Sequence, residues 1–262
     1  MPECAALPAG TRARWTEGGC RRRGVKPIGL LGGMSWESTV PYYETINRVV
    51  GQRLGGLHSA RILLYSVDFD EIERLQHAER WHESGELLAQ AGRTLEASGA
   101  DFLVLCTNTM HKVAPQIEAA VSIPLLHIAD ATAERIAASR FRSVGLLGTR
   151  FTMEQDFCRG RLERHGLKIV VPSEGDRKLV HRIIYEELCR GKVLESSRLE
   201  YGRIVSDLVT RGSEAVVLGC TEIGMLLRPS DSAVPLFDTA QIHAEEAARY
   251  ALDEQSSRPT RR

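Results

Sequence analysis

Two residues in this chain could carry acid–base chemistry from equivalent positions: Thr107 and Cys220. Gly99-Ala-Asp-Phe-Leu-Val-Leu-Cys-Thr-Asn-Thr109 aligns without a gap on Gly212-Ser-Glu-Ala-Val-Val-Leu-Gly-Cys-Thr-Glu222. In that alignment Leu105 falls on Leu218, and Thr107, not Cys106, falls on Cys220. An apolar run that closes on a small hydroxyl or thiol residue is a strand delivering that residue to a loop. Two such strands from two related halves can present one side chain to each face of a bound molecule. That arrangement suits a reaction in which a proton leaves one face of a carbon and returns on the other.

The elements that must position these residues are duplicated as well. Pro27-Ile-Gly-Leu-Leu-Gly-Gly33 recurs as Ser143-Val-Gly-Leu-Leu-Gly-Thr149, and Ile123-Pro-Leu-Leu-His127 as Val234-Pro-Leu-Phe-Asp238. Three matches in one order, at offsets of 111 to 116, indicate an internal repeat. Its period is that of a small α/β domain, far beyond the roughly 20–50 residues of a solenoid unit. Parallel strands are Val/Leu-rich in any case; shared order and near-constant offset are what mark duplication.

Strands are predicted near 26–31, 61–67, 101–106, 124–128, 143–148, 167–171, 214–219 and 234–237. Helical patterns lie between them. Val40, Tyr43, Ile46, Val50 and Leu54 trace one face, stopped by Gly55-Gly56. Leu87, Leu88, Ala91 and Leu95 trace another, closed by Gly99. Thr152-Met-Glu-Gln155 reads as a capping box opening a helix through Phe157 and Leu162. This alternation predicts an α/β fold of parallel sheets with helices on both faces. Ligands of such sheets bind at the carboxyl ends of the strands, where residues 32–35, 107–109 and 220–221 fall.

Composition narrows the function classes. Lys+Arg and Asp+Glu each number 34, so the formal charge is zero, and nothing asks for nucleic acid or an anionic membrane surface. No apolar stretch approaches the roughly 18 residues of a membrane span. Residues 1–25 lack periodicity, carry Arg21-Arg22-Arg23 and contain no apolar signal core, so they read as an extension outside the fold, as does the polar tail 254–262. The six cysteines, at 4, 20, 106, 158, 189 and 220, form neither a disulfide framework nor a zinc ribbon. Together with the missing signal, this predicts reduced thiols in a cytoplasmic protein. No histidine spacing suggests a metal, and Gly29-x-x-Gly32-Gly33 lacks the spacing of a dinucleotide loop.

Five segments together resemble the aspartate/glutamate racemase superfamily. They are Ile28-Gly-Leu-Leu-Gly-Gly-Met-Ser-Trp-Glu-Ser38, Leu105-Cys-Thr-Asn-Thr-Met-His-Lys112, His127-Ile-Ala-Asp-Ala-Thr132, Phe151-Thr-Met-Glu-Gln-Asp156 and Leu218-Gly-Cys-Thr-Glu-Ile223. The resemblance spans roughly residues 26–250 and is strongest to the bacterial broad-specificity or L-aspartate/glutamate-specific amino-acid racemases. It implies two three-layer α/β domains related by a pseudo-twofold axis, with the active site in the cleft between them. It also implies an amino acid as the small-molecule substrate, no cofactor and a homodimer. The domains would comprise residues 26–122 plus 231–253, and residues 123–230.

In the family a cysteine from each domain faces the α-carbon, one as thiolate base and the other as thiol acid. A thiol suits both roles because its pKa, about 8.5, is tuned by its surroundings. This chain departs from that pattern. The family's first cysteine directly precedes Asn-Thr, and here Thr107 stands in that place, with Cys106 one residue earlier. Adjacent strand residues point to opposite faces, so Cys106 reads as a buried packing residue and Cys220 as the principal base. The resemblance then predicts faster handling of L substrates.

It further places Met34, Ser35, Asn108, Thr109 and Thr221 at the substrate, with a polar residue near Arg74 or Gln76 holding the distal group; Gln76 is the choice here. A lysine typical of aspartate racemases near the end of the Tyr185–Cys189 stretch is absent, Arg190 being the nearest replacement. Glu222 reads equally as a partner of Cys220 or as a helix cap. His111 is a candidate for tuning Thr107. His127, Asp130 and Asp238 read as orienting or capping groups, and Trp36 and Trp81 as packing residues. The alternatives are a sister reaction (hydantoin racemisation, maleate isomerisation or arylmalonate decarboxylation), a non-catalytic binding protein, or a pyridoxal-phosphate racemase, for which no Schiff-base lysine stands out.

Overall fold

Eight parallel strands form two four-stranded sheets of matching design. The computed structural model describes residues 25–252, and the expectations for the extension and tail at 1–24 and 253–262 lie outside the described residues. The first half runs β1 (Ile28–Gly32), α1 (Trp36–Leu54), β2 (Ile62–Ser66), α2 (Phe69–His77), α3 (Trp81–Ala97), β3 (Phe102–Leu105), α4 (Ala114–Ala120), β4 (Leu125–Leu126) and α5 (Ile128–Ala138). The second runs β5 (Ser143–Gly148), α6 (Arg150–Glu154), α7 (Arg159–Arg164), β6 (Lys168–Val170), α8 (Glu174–Glu186), α9 (Glu195–Thr210), β7 (Ala215–Gly219), α10 (Ile223–Leu226), β8 (Leu236–Asp238) and α11 (Thr239–Ala251). Strand orders β2-β1-β3-β4 and β6-β5-β7-β8 are the same permutation. All eight predicted strands are present, each within a few residues of its expected place.

Side-chain alternation along these strands builds a core on each face of the first sheet. Leu30 and Val104 join Tyr42, Ile46 and Val50 on one side. Leu31, Leu103 and Leu105 join Leu88, Leu95 and Ile117 on the other. The halves exchange helices symmetrically. α5, which follows β4 of the first sheet, contributes Ala129, Ala133 and Ile136 to the second core. α11, which follows β8 of the second sheet, lays Ala240, Ala244, Ala247, Ala248 and Ala251 into the first. The expected division at 122/123 and 230/231 therefore shifts by one strand at each crossing. β4 pairs with β3, and β8 pairs with β7.

Two local expectations are corrected. The inward face of α1 is Ser38, Thr39, Tyr42, Ile46 and Val50, whereas Val40, Tyr43 and Leu54 of the expected face are exposed. Small polar residues at the helix start fit close under the β1 loop, which hydrophobic periodicity alone does not weigh. The second helix is capped by Thr149, whose hydroxyl accepts from Thr152 N, and it ends at Glu154 without reaching Phe157 or Leu162. Thr152 is instead buried with its hydroxyl 3.2 Å from that of Thr149.

Candidate active site

The site is set by the turns after β1, β3, β5 and β7. At the first, Gly33 has φ +90°, and a Cβ there would lie 2.4 Å from the carbonyl oxygen of Val67, so only glycine fits. Gly33 N donates to Thr39 Oγ1 at 2.9 Å, and that hydroxyl donates to the Ser35 carbonyl at 2.8 Å. This clasp fixes Met34 and Ser35. After β3 come Thr107, Asn108 and Thr109; after β7 come Cys220, Thr221 and Glu222.

Glu222 is the polar centre of the arrangement and is only 2% exposed. Its Oε1 accepts from Ser35 N at 3.2 Å and Ser35 Oγ at 2.9 Å, across the boundary between the halves. Its Oε2 accepts from Thr221 Oγ1 at 2.8 Å and from the Cys220 thiol at 3.0 Å. It makes no side-chain cap of α10, so of its two sequence readings the geometry holds the one with Cys220. Thr109, at the equivalent position of the other half, places its hydroxyl 3.0 Å from that of Thr149. Each half thus sends the residue two beyond Thr107 or Cys220 to the loop after the first strand of the other half. Asn108 adds a third crossing: Nδ2 donates to Thr239 Oγ1 at 2.9 Å, which donates to the Leu218 carbonyl at 2.7 Å. Asn108 Oδ1 is buried without a hydrogen-bond partner.

These residues line a narrow, largely filled cavity of about 20 Å³, room for roughly one water molecule. Of the residues singled out from sequence, Met34, Gln76, Thr107, Asn108, Thr109 and Cys220 line it. Ser35 and Thr221 stand behind the wall, both bonded to Glu222. Arg74 is not part of it: it lies on the exposed side of α2, paired with Asp70 at 2.6 Å. Gln76 is buried, accepting from Tyr185 OH at 2.8 Å and donating to Met110 Sδ at 2.9 Å. Arg190 is not among the lining residues, whereas Cys189 is. A broader hollow between α2 and α3, lined by Glu71, Arg80 and Glu83 among others, lies apart from all of these groups.

Lining residues that sequence reasoning passed over are Phe69, Thr149, Ile184, Tyr185 and Cys189. Thr149 carries a usable signal, since it aligns with Gly33 in the repeat. Phe69 stacks on Tyr185 with ring centroids 6.4 Å apart; no local pattern marks that long-range pair. Cys106 is fully buried among Leu30, Tyr42 and Ala244 in the core. His111 Nδ1 donates to the Thr107 carbonyl at 2.6 Å, and its Nε2 accepts from Ile128 N at 3.2 Å, which fixes the tautomer. His127 and Asp238 cap α5 and α11, and Asp130 pairs with Arg161. Trp81 packs edge-on against Phe151, but Trp36 is 64% exposed and is not the packing residue expected.

Burial and the neighbouring Glu222 carboxylate push the Cys220 thiol well above its ordinary range. Cys220 is therefore held as a thiol that donates to the Glu222 carboxylate. Burial, then Glu222, Glu37 and Glu73, hold Cys189 protonated as well. Burial alone raises Cys106, and it pushes Cys158, in the second core, up to about 12. Burial and the neighbouring His127 and His243 keep His111 neutral.

The duplicated α/β scaffold thus brings a hydroxyl from one half and a carboxylate-bonded thiol from the other to one buried cavity. A family model for Asp/Glu/Hydantoin racemase matches residues 31–247. The chain is 24% identical over 234 residues to the broad specificity amino-acid racemase RacX of Bacillus subtilis, covering 87% of this chain and all of that one. Its fold matches a Yersinia pestis protein provisionally described as an Asp/Glu racemase, with TM-score 0.81 and 55% identity over 87% of this chain and 100% of that one. It also matches an aspartate racemase homologue from Pyrococcus horikoshii, with TM-score 0.74 and 34% identity over 86% and 99% of the two chains. The protein belongs to the Asp/Glu/hydantoin racemase family and is an isomerase of the racemase kind. No helix among the described residues is long and apolar enough to cross a membrane.

Proposed function

We propose that this protein racemises amino acids without a cofactor, with Cys220 as principal acid–base group and Thr107 serving the other face of the α-carbon. The observation that carries this reading is the Cys220 thiol donating to buried Glu222 at 3.0 Å. An entering α-ammonium group offsets the charge of Glu222, and Asn108 Oδ1 supplies the acceptor it needs. Transfer of the thiol proton to Glu222 then leaves a thiolate, which removes the α-proton of an L substrate. The Thr107 hydroxyl delivers a proton to the opposite face, and the proton held by Glu222 returns to Thr107 through water, which resets both groups.

A hydroxyl is a poor base at neutral pH, so the two faces are not equivalent. Enantiomers have equal free energy, hence kcat/KM for net racemisation is the same in both directions. The inequality must appear as exchange without inversion: Cys220 removes and returns hydrogen on the L face more often than the reaction crosses over.

The experiment is α-hydrogen exchange in deuterium oxide over a panel of L- and D-amino acids, on the native protein and Cys220→Ala. The expected result is exchange of an L-amino acid faster than its racemisation, abolished in Cys220→Ala. Persistence of exchange in that variant, or exchange equal to racemisation from both enantiomers, overturns the respective assignments of Cys220 and Thr107.

A further inference from the structure

Most of the cavity wall outside the acid–base groups carries no charge. Phe69, Ile184 and Cys189 are apolar or weakly polar, and Gln76 and Tyr185 are neutral and already bonded to each other. The one lining residue with an ionisable acid or base of ordinary charge is Glu222, an anion. Two of the nearby cations are engaged elsewhere. Arg74 pairs with Asp70 on the surface, and Lys112 sits 3.9 Å over the Trp81 ring.

Arg190 follows Cys189 in the chain but is not among the lining residues, and burial with Glu222, Glu37 and Glu73 holds the Cys189 thiol up. Tyr185 likewise feels Glu222 and Glu73 in addition to its burial. The wall therefore holds one acid and no basic side chain, and a second carboxylate brought into it meets no cation among the lining residues.

We propose that this cavity selects amino acids with an uncharged side chain, and that it takes L-asparagine and L-glutamine in preference to the isosteric L-aspartate and L-glutamate. This rests on the racemase reading above, and it departs from the acidic substrates named for several relatives. An amide side chain loses less than a carboxylate on entering a wall lined by Phe69 and Ile184. A carboxylate of the same shape loses its hydration and gains no cation in return. The main determinant is Cys189, which occupies a lining position where a lysine would reverse the field.

The test compares kcat/KM for α-deuterium exchange of the two amides and the two acids, on the native protein and on Cys189→Lys. Protection of the Cys220 peptide from iodoacetamide by the same four amino acids, read by mass spectrometry, measures occupancy without turnover. Native protein is expected to favour each amide over its acid by tenfold or more in both readouts, and Cys189→Lys to erase or invert that ratio. Acids that exchange and protect as well as their amides overturn the selectivity, whatever Cys189→Lys does. Protection in the order amide over acid with no exchange of any amino acid overturns the racemase reading and leaves the selectivity standing.

Discussion

Glu222→Gln separates the electrostatic role of this residue from its shape. The substitution keeps the side chain's length and its acceptor oxygen, so the Ser35 contacts at 2.9 and 3.2 Å can persist. What it removes is the negative charge 3.0 Å from the Cys220 sulfur. That carboxylate stabilises the protonated thiol by accepting its hydrogen, a charge-assisted bond worth about 1.5–3 kcal/mol. At about 1.4 kcal/mol per pH unit, its loss should lower the apparent pKa of Cys220 by roughly 1–2 units. The Gln amide could also donate to the thiolate and add to the fall.

The assay is the thiolate absorbance near 240 nm as a function of pH, with Cys220→Ala as baseline. Kinetics should move the opposite way. Although the thiol ionises more easily, the group that receives its proton during the reaction is gone. Exchange should drop by about 10²–10⁴, the usual worth of a positioned acid or base. An unchanged or raised Cys220 pKa refutes the electrostatic reading. A lowered pKa with undiminished exchange refutes Glu222 as proton acceptor and leaves it only a structural link to Ser35.

Other perturbations test other links. Thr107→Cys supplies a second thiol, and should bring the L-face exchange rate toward the racemisation rate; adding Thr109→Glu, the residue found at that offset beside Cys220, should raise the gain more than additively, as read by exchange and polarimetry. Stability should fall in mild acid because His243 is fully buried, and burial holds its pKa to about 4 against about 6.5 when unfolded. Between those values the unfolded chain binds a proton that the folded one excludes, so the penalty grows as pH drops from 6.5 to 4. It amounts to about 2 kcal/mol by pH 5. Urea midpoints across that range should fall accordingly, and the slope should flatten in His243→Gln, in which the ring that bonds Tyr42 and the Leu126 carbonyl is gone.

The sequence made the eight strands legible because buried parallel strands are short apolar runs whose ends are marked by Gly, Pro and polar residues. The repeat then supplied what periodicity could not, namely that Thr107 and not Cys106 shares the position of Cys220. Cys106 lies in the core beneath α1 and α11, and Thr107 on the cavity. Where reading failed, the deciding contact was long-range. Tyr185 and Cys189 come from α8 and the turn after it; Tyr185 stacks on Phe69 of the other half, and both line the cavity. Only the resemblance pointed to the Tyr185–Cys189 stretch; no local pattern signals its meeting with Phe69. Glu222 looked as much like a helix cap as a catalytic partner because both require an acid at the start of α10. Only the direction of its side chain, toward Cys220 and Ser35, distinguishes them.

The duplication also bears on the assignment of roles. Backbone and topology repeat closely, so each half offers the same two side-chain positions to the cavity: one after its third strand and another two residues on. In the second half those positions hold Cys220 and Glu222; in the first they hold Thr107 and Thr109. Both members of the pair differ together. A thiol stands with a carboxylate that can take its proton, and a hydroxyl stands with a hydroxyl that bonds Thr149 and cannot. Had Thr107 been a full counterpart of Cys220, an acceptor at position 109 would be needed to ionise it, and the structure puts none there. The two halves therefore differ at two residues each on an otherwise matching frame, and the thiol stands in the half that carries the acid; the proposed inequality of the two faces rests on that difference.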